Sequence, residues 1–402
     1  MLSIRIACTC MLAVSALGQE ADTTTDLPEP APWKVFWKDG LRAESADGDF
    51  WFQIGGRIHQ DWGTFGSTRL VTPDGDPLED GVIFRRARLQ FDGLVHGTVR
   101  FRAHYEFAGA RVSFRDLWAE WTEVPLRIGY FREPMGLEAN TSSNALTFLE
   151  RSVASIALTP GRNSGVMYRS HFAEKRAQLA IGAFRATDMA GAAGGGDGSL
   201  TARLTWLPYM EEHDSRLMHV GLAASHRETR DEGVPISARL EGFTAGPVVD
   251  AVLVADQAHS AAAEFAWVSG PLSFQGELLG LDTDGSGSDD ARLWGTYAQM
   301  SWFVTGEHRP YNHSRHAFGP VKPDRNFSRA GSGNGAWELA ARWSRADLTD
   351  LMADGTTLEN VTFGTNWYLN PSTRIMFNWI HSTGEGIDGD EDQFYMRFQL
   401  TF

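Results

Sequence analysis

Cysteine is nearly absent: the 402 residues contain two, Cys8 and Cys10, and none follows. Beyond residue 10 the chain can build no disulfide, thiol nucleophile or Cys-ligated metal site. Long apolar runs are missing as well. The stretch from Ile6 to Leu17 is shorter than the ~20 residues a spanning helix needs, and no later segment is long and uncharged enough to replace it. A helical membrane span is excluded. Lysine is scarce, with four in the chain, and there is no basic tract. Acidic residues number 51 against 36 lysines and arginines, a formal charge of −15, so nucleic-acid binding is excluded too.

The first residues read as an export signal over 1–18. Arg5 supplies a positive n-region, Ile6–Leu17 an apolar h-region, and Ala16-Leu17-Gly18 small residues for cleavage. Both cysteines lie inside it. Residues 19–32 follow as an acidic, Pro-containing lead-in without periodicity, read as flexible. An exported chain without spanning helices is secreted, periplasmic, or a closed barrel in an outer membrane.

From there to the end, apolar and polar residues alternate in short segments separated by Gly, Asp, Ser and Pro. Phe50, Phe52, Ile54 and Ile58 share one face, opposite Gln53, Arg57, His59 and Asp61. Ala87, Leu89 and Phe91 oppose Arg86, Arg88, Gln90 and Asp92. Val99, Phe101, Ala103, Tyr105 and Phe107 oppose Arg100, Arg102, His104 and Glu106, so every second position is apolar and every other one ionisable. Leu117, Ala119 and Trp121 then oppose Asp116, Trp118 and Glu120, and the pattern returns at Trp294–Val304, Trp337–Trp343, Val361–Leu369 and Arg374–Ile380. The last strand alternates through Phe394, Met396, Phe398, Leu400 and Phe402. A soluble sandwich would alternate similarly. Two features favour a transmembrane antiparallel β-barrel: polar faces carrying both signs of charge, as a wet lumen requires, and apolar faces rich in aromatics. A strand of ~9–11 residues plus its connection gives about 14–18 strands, an even number. A barrel of that size leaves an aqueous channel unless something folds inward.

One interval breaks the rhythm. Residues 132–164 include Glu133, Pro134, Pro160 and Gly161 with embedded Leu137, Leu146, Phe148, Leu149, Ile156 and Leu158. A connection that long and that apolar packs on something; an inward-folded constriction loop is expected, a cover over a neighbouring subunit being the alternative. The acidic clusters Asp74–Asp80, Asp282–Asp290 and Asp388–Asp392 read as solvated turns, since the ligand spacing of a calcium loop is missing after Asp282-Thr283-Asp284-Gly285. Gly191–Gly198 lacks the lysine of a phosphate-binding loop and reads as a flexible turn. His104, His171 and His219 stand beside no nucleophile motif. Neither an enzyme nor a metal or cofactor site is expected.

Several short motifs occur in a telling order. They are Gly-Gly-Arg at 55–57, Phe84–Leu89 followed by Phe91, Gly-Leu-Glu at 136–138 and Thr-Ser-Ser at 141–143. Leu149-Glu150-Arg151, Thr305-Gly306-Glu307, Val321-Lys322-Pro323, Gly335–Leu339 and Asn366-Trp367-Tyr368 with Asn370 complete the series. With these the chain resembles the phosphate-selective porin O and P family from Phe52 to its end. The resemblance implies a 16-stranded homotrimeric porin of the bacterial outer membrane, in contact with its lipid, inserted by the barrel assembly machinery and narrowed by its third-loop region. It further implies arginines along the route to the constriction, with Arg57, Arg85 and Arg86 similar to members of that ladder and Arg100 standing where a family lysine lies.

Selective anion passage needs fixed cations in a confined wet path, and arginine grips oxyanions with two donors at once. Arg57, Arg86, Arg88, Arg100 and Arg102 share the lumen parity, whereas Arg85 breaks it and would have to sit at the mouth or beside a bulge. The alternative is that these arginines pair with Asp61, Asp92, Glu106, Asp116 and Glu120 as a wall network. Arg132, Glu133, Glu138, Ala139 and Arg151 are the candidate constriction residues. Phosphate-selective relatives carry a lysine after Gly-Leu-Glu, where this chain has Ala139, and Glu133 and Glu138 lie nearby. The expected function is passive diffusion of small solutes with a mild preference for anions such as phosphate; a weakly selective pore and a non-conducting structural or adhesive barrel are the alternatives.

Overall fold

The computed structural model describes residues 32–66, 78–109, 112–185, 197–211, 214–229, 233–244, 246–285, 290–351, 356–385 and 390–402. The export signal, almost all of the lead-in and most of Gly191–Gly198 lie outside these residues. Two short strands come first, β1 (Lys34–Trp37) and β2 (Leu41–Glu44). The barrel wall then runs through β3 (Trp51–Phe65), β4 (Gly81–Val95), β5 (Val99–Glu106), β6 (Ser113–Trp121), β7 (Leu126–Arg132), β8 (Arg162–Phe172) and β9 (Ala177–Arg185). It continues with β10 (Gly198–Met210) and β11 (Arg216–Glu228). A lone hairpin, β12 (Val234–Ala238) with β13 (Val249–Leu253), interrupts it before β14 (Gln257–Ser269), β15 (Leu272–Asp284) and β16 (Arg292–Phe303). A second, β17 (Tyr311–Asn312) with β18 (Ala317–Phe318), precedes β19 (Ala336–Asp347), β20 (Thr357–Asn370), β21 (Thr373–Thr383) and β22 (Glu391–Thr401).

The main sheet has 18 strands; two belong to the N-terminal hairpin and the other sixteen close on themselves, all pairs antiparallel. Closure is made by β22 against β3, from Gln393 opposite Phe65 to Thr401 opposite Arg57. A closed barrel leaves no unpaired wall edge, the condition for crossing hydrocarbon with strands. The sixteen strands agree with the number expected. The wall begins at Trp51, with β2 laid along the foot of β3 from Leu41 opposite Ile54 to Glu44 opposite Trp51.

Alternation becomes an inside-out surface. On β10 Leu200, Leu204 and Trp206 are exposed on the outer face, while Thr201, Arg203 and Thr205 are buried within. On β20 and β21 Phe363 and Phe377 face out, while Thr362, Asn366, Arg374 and Asn378 are buried. Outer apolar bands and polar interiors are what lipid outside and water inside select. The terminal Phe402 explains the two glycines at 55–56. Its N–H donates to the Gly56 carbonyl at 3.1 Å, and a Cβ on Gly56 would stand 2.6 Å from its ring.

Most strands join by brief turns at one end and longer connections at the other. Among the described residues, three long connections turn inward instead. Residues 133–161, between β7 and β8, carry helices α1 (Leu137–Asn140) and α2 (Val153–Leu158), the latter capped by Ser152, whose Oγ accepts from the Ser155 N–H at 3.2 Å. Residues 229–256 bring in the β12–β13 hairpin, and residues 304–335 bring in β17–β18 from the short-turn end. Met135, Val153 and Leu158 pack with Val234, Ile236 and Leu240 against Leu279, Leu293 and Leu358 of the wall. An apolar core thus fills one side of the barrel, and open space is left on the other.

Candidate functional site: an arginine-lined lumen

That open space includes a cavity of about 200 Å³ bordered by 24 residues, of which Arg57, Arg85, Arg86, Arg88, Arg102, Arg115, Arg127, Arg132, Arg151, Arg162, Arg169, Arg203 and Arg315 are thirteen arginines. Asp116 is the one acid among them, and Gln90, Gln178, Asn140, Thr141, Ser142 and Ser143 supply neutral polar groups. Lining residues come from each strand from β3 to β10, half of the wall, with Ala139 to Ser143 contributed by the 133–161 segment.

Two bulges decide who points inward. In the β3–β4 ladder the register shifts between His59 opposite Arg86 and Gln60 opposite Phe84, leaving Arg85 as the extra residue. In the β5–β6 ladder His104 opposes Asp116 and Tyr105 opposes Phe114, so Arg115 is extra. A bulge re-aims a side chain against the alternation. Both arginines line the cavity although simple parity assigns them to the lipid side.

Eight of the thirteen are held by carboxylates. Arg88 meets Glu106 at 2.6 Å with Arg115 beside it at 3.6 Å; Arg102 meets Asp92 at 2.6 Å, Arg127 meets Glu120 at 2.6 Å and Arg162 meets Asp116 at 3.2 Å. Arg203 forks onto Glu264 at 2.8 and 2.7 Å. Arg85 and Arg86 share Glu150, which also receives Arg397, a β22 residue bound bidentately to Asp61. Burial works against ionisation of Glu150, but Arg85, Arg86 and Arg397 hold its carboxyl well below the usual range.

The other five have no carboxylate within 4.0 Å among the described residues. Arg57 donates to Ser143 Oγ at 2.9 Å, and Arg132 to the Pro160 carbonyl at 3.2 Å. Arg151 donates to the carbonyls of Glu138 at 2.9 Å and Thr141 at 2.7 Å, tying the 133–161 segment to itself. Among the described residues the Arg169 guanidinium donates only to the Met167 sulfur, and Arg315 reaches the cavity from the 304–335 segment. Burial and the nearby Arg102 lower the Arg315 guanidinium to about 10, still cationic at neutral pH. Thirteen guanidiniums are met by six carboxylates, so the cavity keeps a strong positive excess inside an acidic protein.

Of the residues expected from the sequence, Arg57, Arg85, Arg86, Arg88, Arg102, Arg132, Ala139 and Arg151 border this one cavity. Arg100 does not; it stays exposed near the start of β5, opposite Leu94 and Glu120. Glu133 and Glu138 also lie off the cavity. Glu133 is buried against Arg227, Asn163 and Thr201. Glu138 accepts from Ser152 N–H at 3.0 Å and Arg342 at 3.3 Å. Neither therefore presents a free negative charge to the cavity. Sequence reading missed Arg115, Arg127, Arg162, Arg169, Arg203 and Arg315. Arg169 and Arg203 could have been found, since each sits on the inward parity of its strand. Arg115 is hidden by its bulge and Arg315 by its place on a long connection.

A closed barrel with a lipid-compatible outer wall and a polar interior defines the class: a channel of the bacterial outer membrane, a porin. The profile described as phosphate-selective porin O and P matches residues 52–402, and the chain belongs to that family. It is 27% identical to Porin O of Pseudomonas aeruginosa, covering 99% of this chain and 98% of the relative. Among solved structures it is similar to an anion-selective porin from Comamonas acidovorans at a TM-score of 0.56 and 10% identity, covering 87% of this chain and 99% of the other. The outer membrane channel DcaP of Acinetobacter baumannii gives 0.56 and 10% over 89% of this chain and 99% of its own. OmpT of Vibrio cholerae, in a trimer form, gives 0.50 and 10% over 87% and 99%. These likenesses concern the fold.

Proposed function

We propose that this porin passes small anions, phosphate among them, in preference to cations, and that the segment 132–164 narrows its path. The excess of arginine over carboxylate around one cavity carries the reading. Each partial dehydration of an anion there is offset by charge-assisted hydrogen bonds, and guanidinium forks match oxyanion geometry. Wall pairing leaves room for solute contact: eight arginines are braced by acids, four have only neutral partners for their donors, and the Arg315 guanidinium has none among the described residues. The absence of a lysine at Ala139 matters less than the sequence implies, since Arg57, Arg132 and Arg151 surround that position's cavity. Passage, not catalysis, is the protein's work. His104 pairs with Asp116, His171 with Gln178, and His219 with Glu264 and Tyr311, contacts that brace the wall and the inserted segments. A homotrimer, delivered by the barrel assembly machinery, completes the reading on the strength of the family.

The test is a planar-bilayer recording of the purified protein in a KCl gradient. The reversal potential is expected on the anion side, and added phosphate is expected to lower the chloride current as it occupies the cavity. A reversal potential of cation preference, or a barrel that inserts without conducting, would overturn the proposal.

A further inference from the structure

Where β4 and β10 leave their long connections, the outward positions of the wall are apolar: Val82, Phe84 and Leu200 stand exposed. β19 and β20 differ. Near the same end their outward residues are ionisable, with Arg345 directly opposite Glu359 and Asp347 one outward position further along. The Arg345 guanidinium lies 3.7 Å from Glu359 and 3.9 Å from Asp347, too far for hydrogen bonds, and its buried Nε has no partner among the described residues. Glu359 instead accepts from the Trp343 indole N–H at 2.9 Å, while the guanidinium stands 5.9 Å from the centre of the Trp294 ring. A lipid-side arginine between two tryptophans thus keeps its donors unused.

Its depth is set by the strand. From Glu359 the outward positions of β20 run through Val361, Phe363 and Thr365 to Trp367, which stacks on Trp337 at 5.1 Å. That interval makes about 26 Å of strand and, at a tilt of ~40°, about 20 Å of height, close to the ~25 Å apolar band of such barrels. The tryptophan pair marks the short-turn interface, which faces the periplasm, so Arg345 lies at the headgroup level of the outer leaflet. Below it the wall is hollowed. Thr365 sits between Leu339 and Phe377 in one cross-strand row, and the row above carries Phe363, Trp379 and Phe394. A groove of about 610 Å³ opens among these side chains on the outside of the barrel.

We propose that Arg345 and this groove form a site for the phosphorylated, multiply acylated glycolipid of the outer leaflet. The guanidinium fork grips a lipid phosphate, and an acyl chain lies in the groove across Thr365. The groove begins at Phe363, about 13 Å of strand below Glu359, room for the sugar and ester linkage that separates phosphate from chain. Glu359 and Asp347 face the divalent cations that bridge neighbouring lipid phosphates, since hard cations take carboxylate oxygens. The site lies outside the lumen, and the inference is independent of what the channel passes.

The test is native mass spectrometry of the purified protein in magnesium-containing buffer. The probes are bisphosphorylated lipid A, its dephosphorylated form and inorganic phosphate. The wild type should hold the bisphosphorylated lipid about tenfold more tightly than the dephosphorylated one, the worth of one charge-assisted contact. Arg345→Gln should erase that difference, and Arg345→Lys should keep part of it, because a point charge replaces a fork. Thr365→Trp, which fills the groove, should weaken both lipids alike. Arg292→Gln changes another exposed arginine, one already bonded to Asp282 at 2.9 Å, and should bind as the wild type does. Heat-modifiable migration on gels checks that each barrel has closed. Equal affinity of the wild type for the two lipids, or an undiminished phosphate preference in Arg345→Gln, would overturn the inference. Inorganic phosphate held as tightly as the lipid would reduce the site to an ion site and overturn it too. So would dissociation of the assembled protein by Thr365→Trp, which would make the groove a contact between copies of the chain.

Discussion

Glu150 shows how much one side chain decides. It sits on the 133–161 segment, yet its carboxylate joins Arg85 and Arg86 of β4 to Arg397 of β22. Removing a partner from a buried ionic network costs about 3–5 kcal/mol, because the opposite charges stay buried unpaired. Glu150→Gln should accordingly loosen the segment, visible as noisier single-channel current, while increasing the positive excess and hence the anion preference. An unchanged current trace would mean that the segment is held by its other anchors. The pH dependence has a definite sign. The carboxyl is depressed in the folded protein, so its contribution is complete above the ordinary carboxylate range and fades only as pH falls through the lower, folded value. Current noise should therefore stay flat from neutral pH down past the range in which a free glutamate titrates, and rise only in stronger acid.

At the level of elements, the bulges and the inserted segments do what a regular barrel cannot. Period-2 alternation lays arginines only on every second position, whereas the extra residues at Arg85 and Arg115 add cations between them. The 133–161 segment is moored at many points. Arg374 donates to the Leu146 carbonyl at 2.7 Å, Asn366 to the Thr147 carbonyl at 2.9 Å, and Arg342 to the Glu150 carbonyl at 3.0 Å. Glu277 of β15 receives the N–H groups of Leu137 at 2.6 Å and Glu138 at 2.7 Å, closing the start of α1. Glu277→Ala removes both acceptors at once and leaves buried donors unsatisfied, a local cost on the order of 2–4 kcal/mol. The expected outcome is a larger, less steady conductance and faster protease cleavage within 133–161. Wild-type conductance in that variant would show that the carbonyl anchors suffice.

For the whole molecule, net charge is a poor guide to what the lumen attracts. The chain is acidic by 15 charges, but around this cavity eight arginines share six carboxylates and five more have none within 4.0 Å among the described residues. A selectivity built on such a local field must weaken with salt, because the screening length shrinks from ~10 Å at 0.1 M to ~3 Å at 1 M. The anion-to-cation permeability ratio should fall across that range, though not to unity, since the cavity is narrower than bulk screening assumes. A ratio independent of salt would argue for sieving by size alone.

What the residues determined unaided was the barrel and much of its inner face. Alternation places Leu200 and Leu204 outward and Arg203 inward whatever the loops do, because a strand has no other period. Parity likewise made Arg57, Arg86, Arg88 and Arg102 legible as lumen residues. It also included Arg100, which lies at the start of β5 outside the cavity, since parity gives direction but no depth. Other matters were settled only in three dimensions. The register slips that turn Arg85 and Arg115 inward depend on how two strands pair, which neither strand encodes alone. The neutralisation of Glu133 and Glu138 depends on Arg227 and Arg342, far away in the chain. The placement of Arg315 depends on a hairpin docked to a wall 112 residues away in sequence. Local patterning fixes which way a side chain faces; only long-range packing fixes what it meets there, and for a channel what it meets is the function.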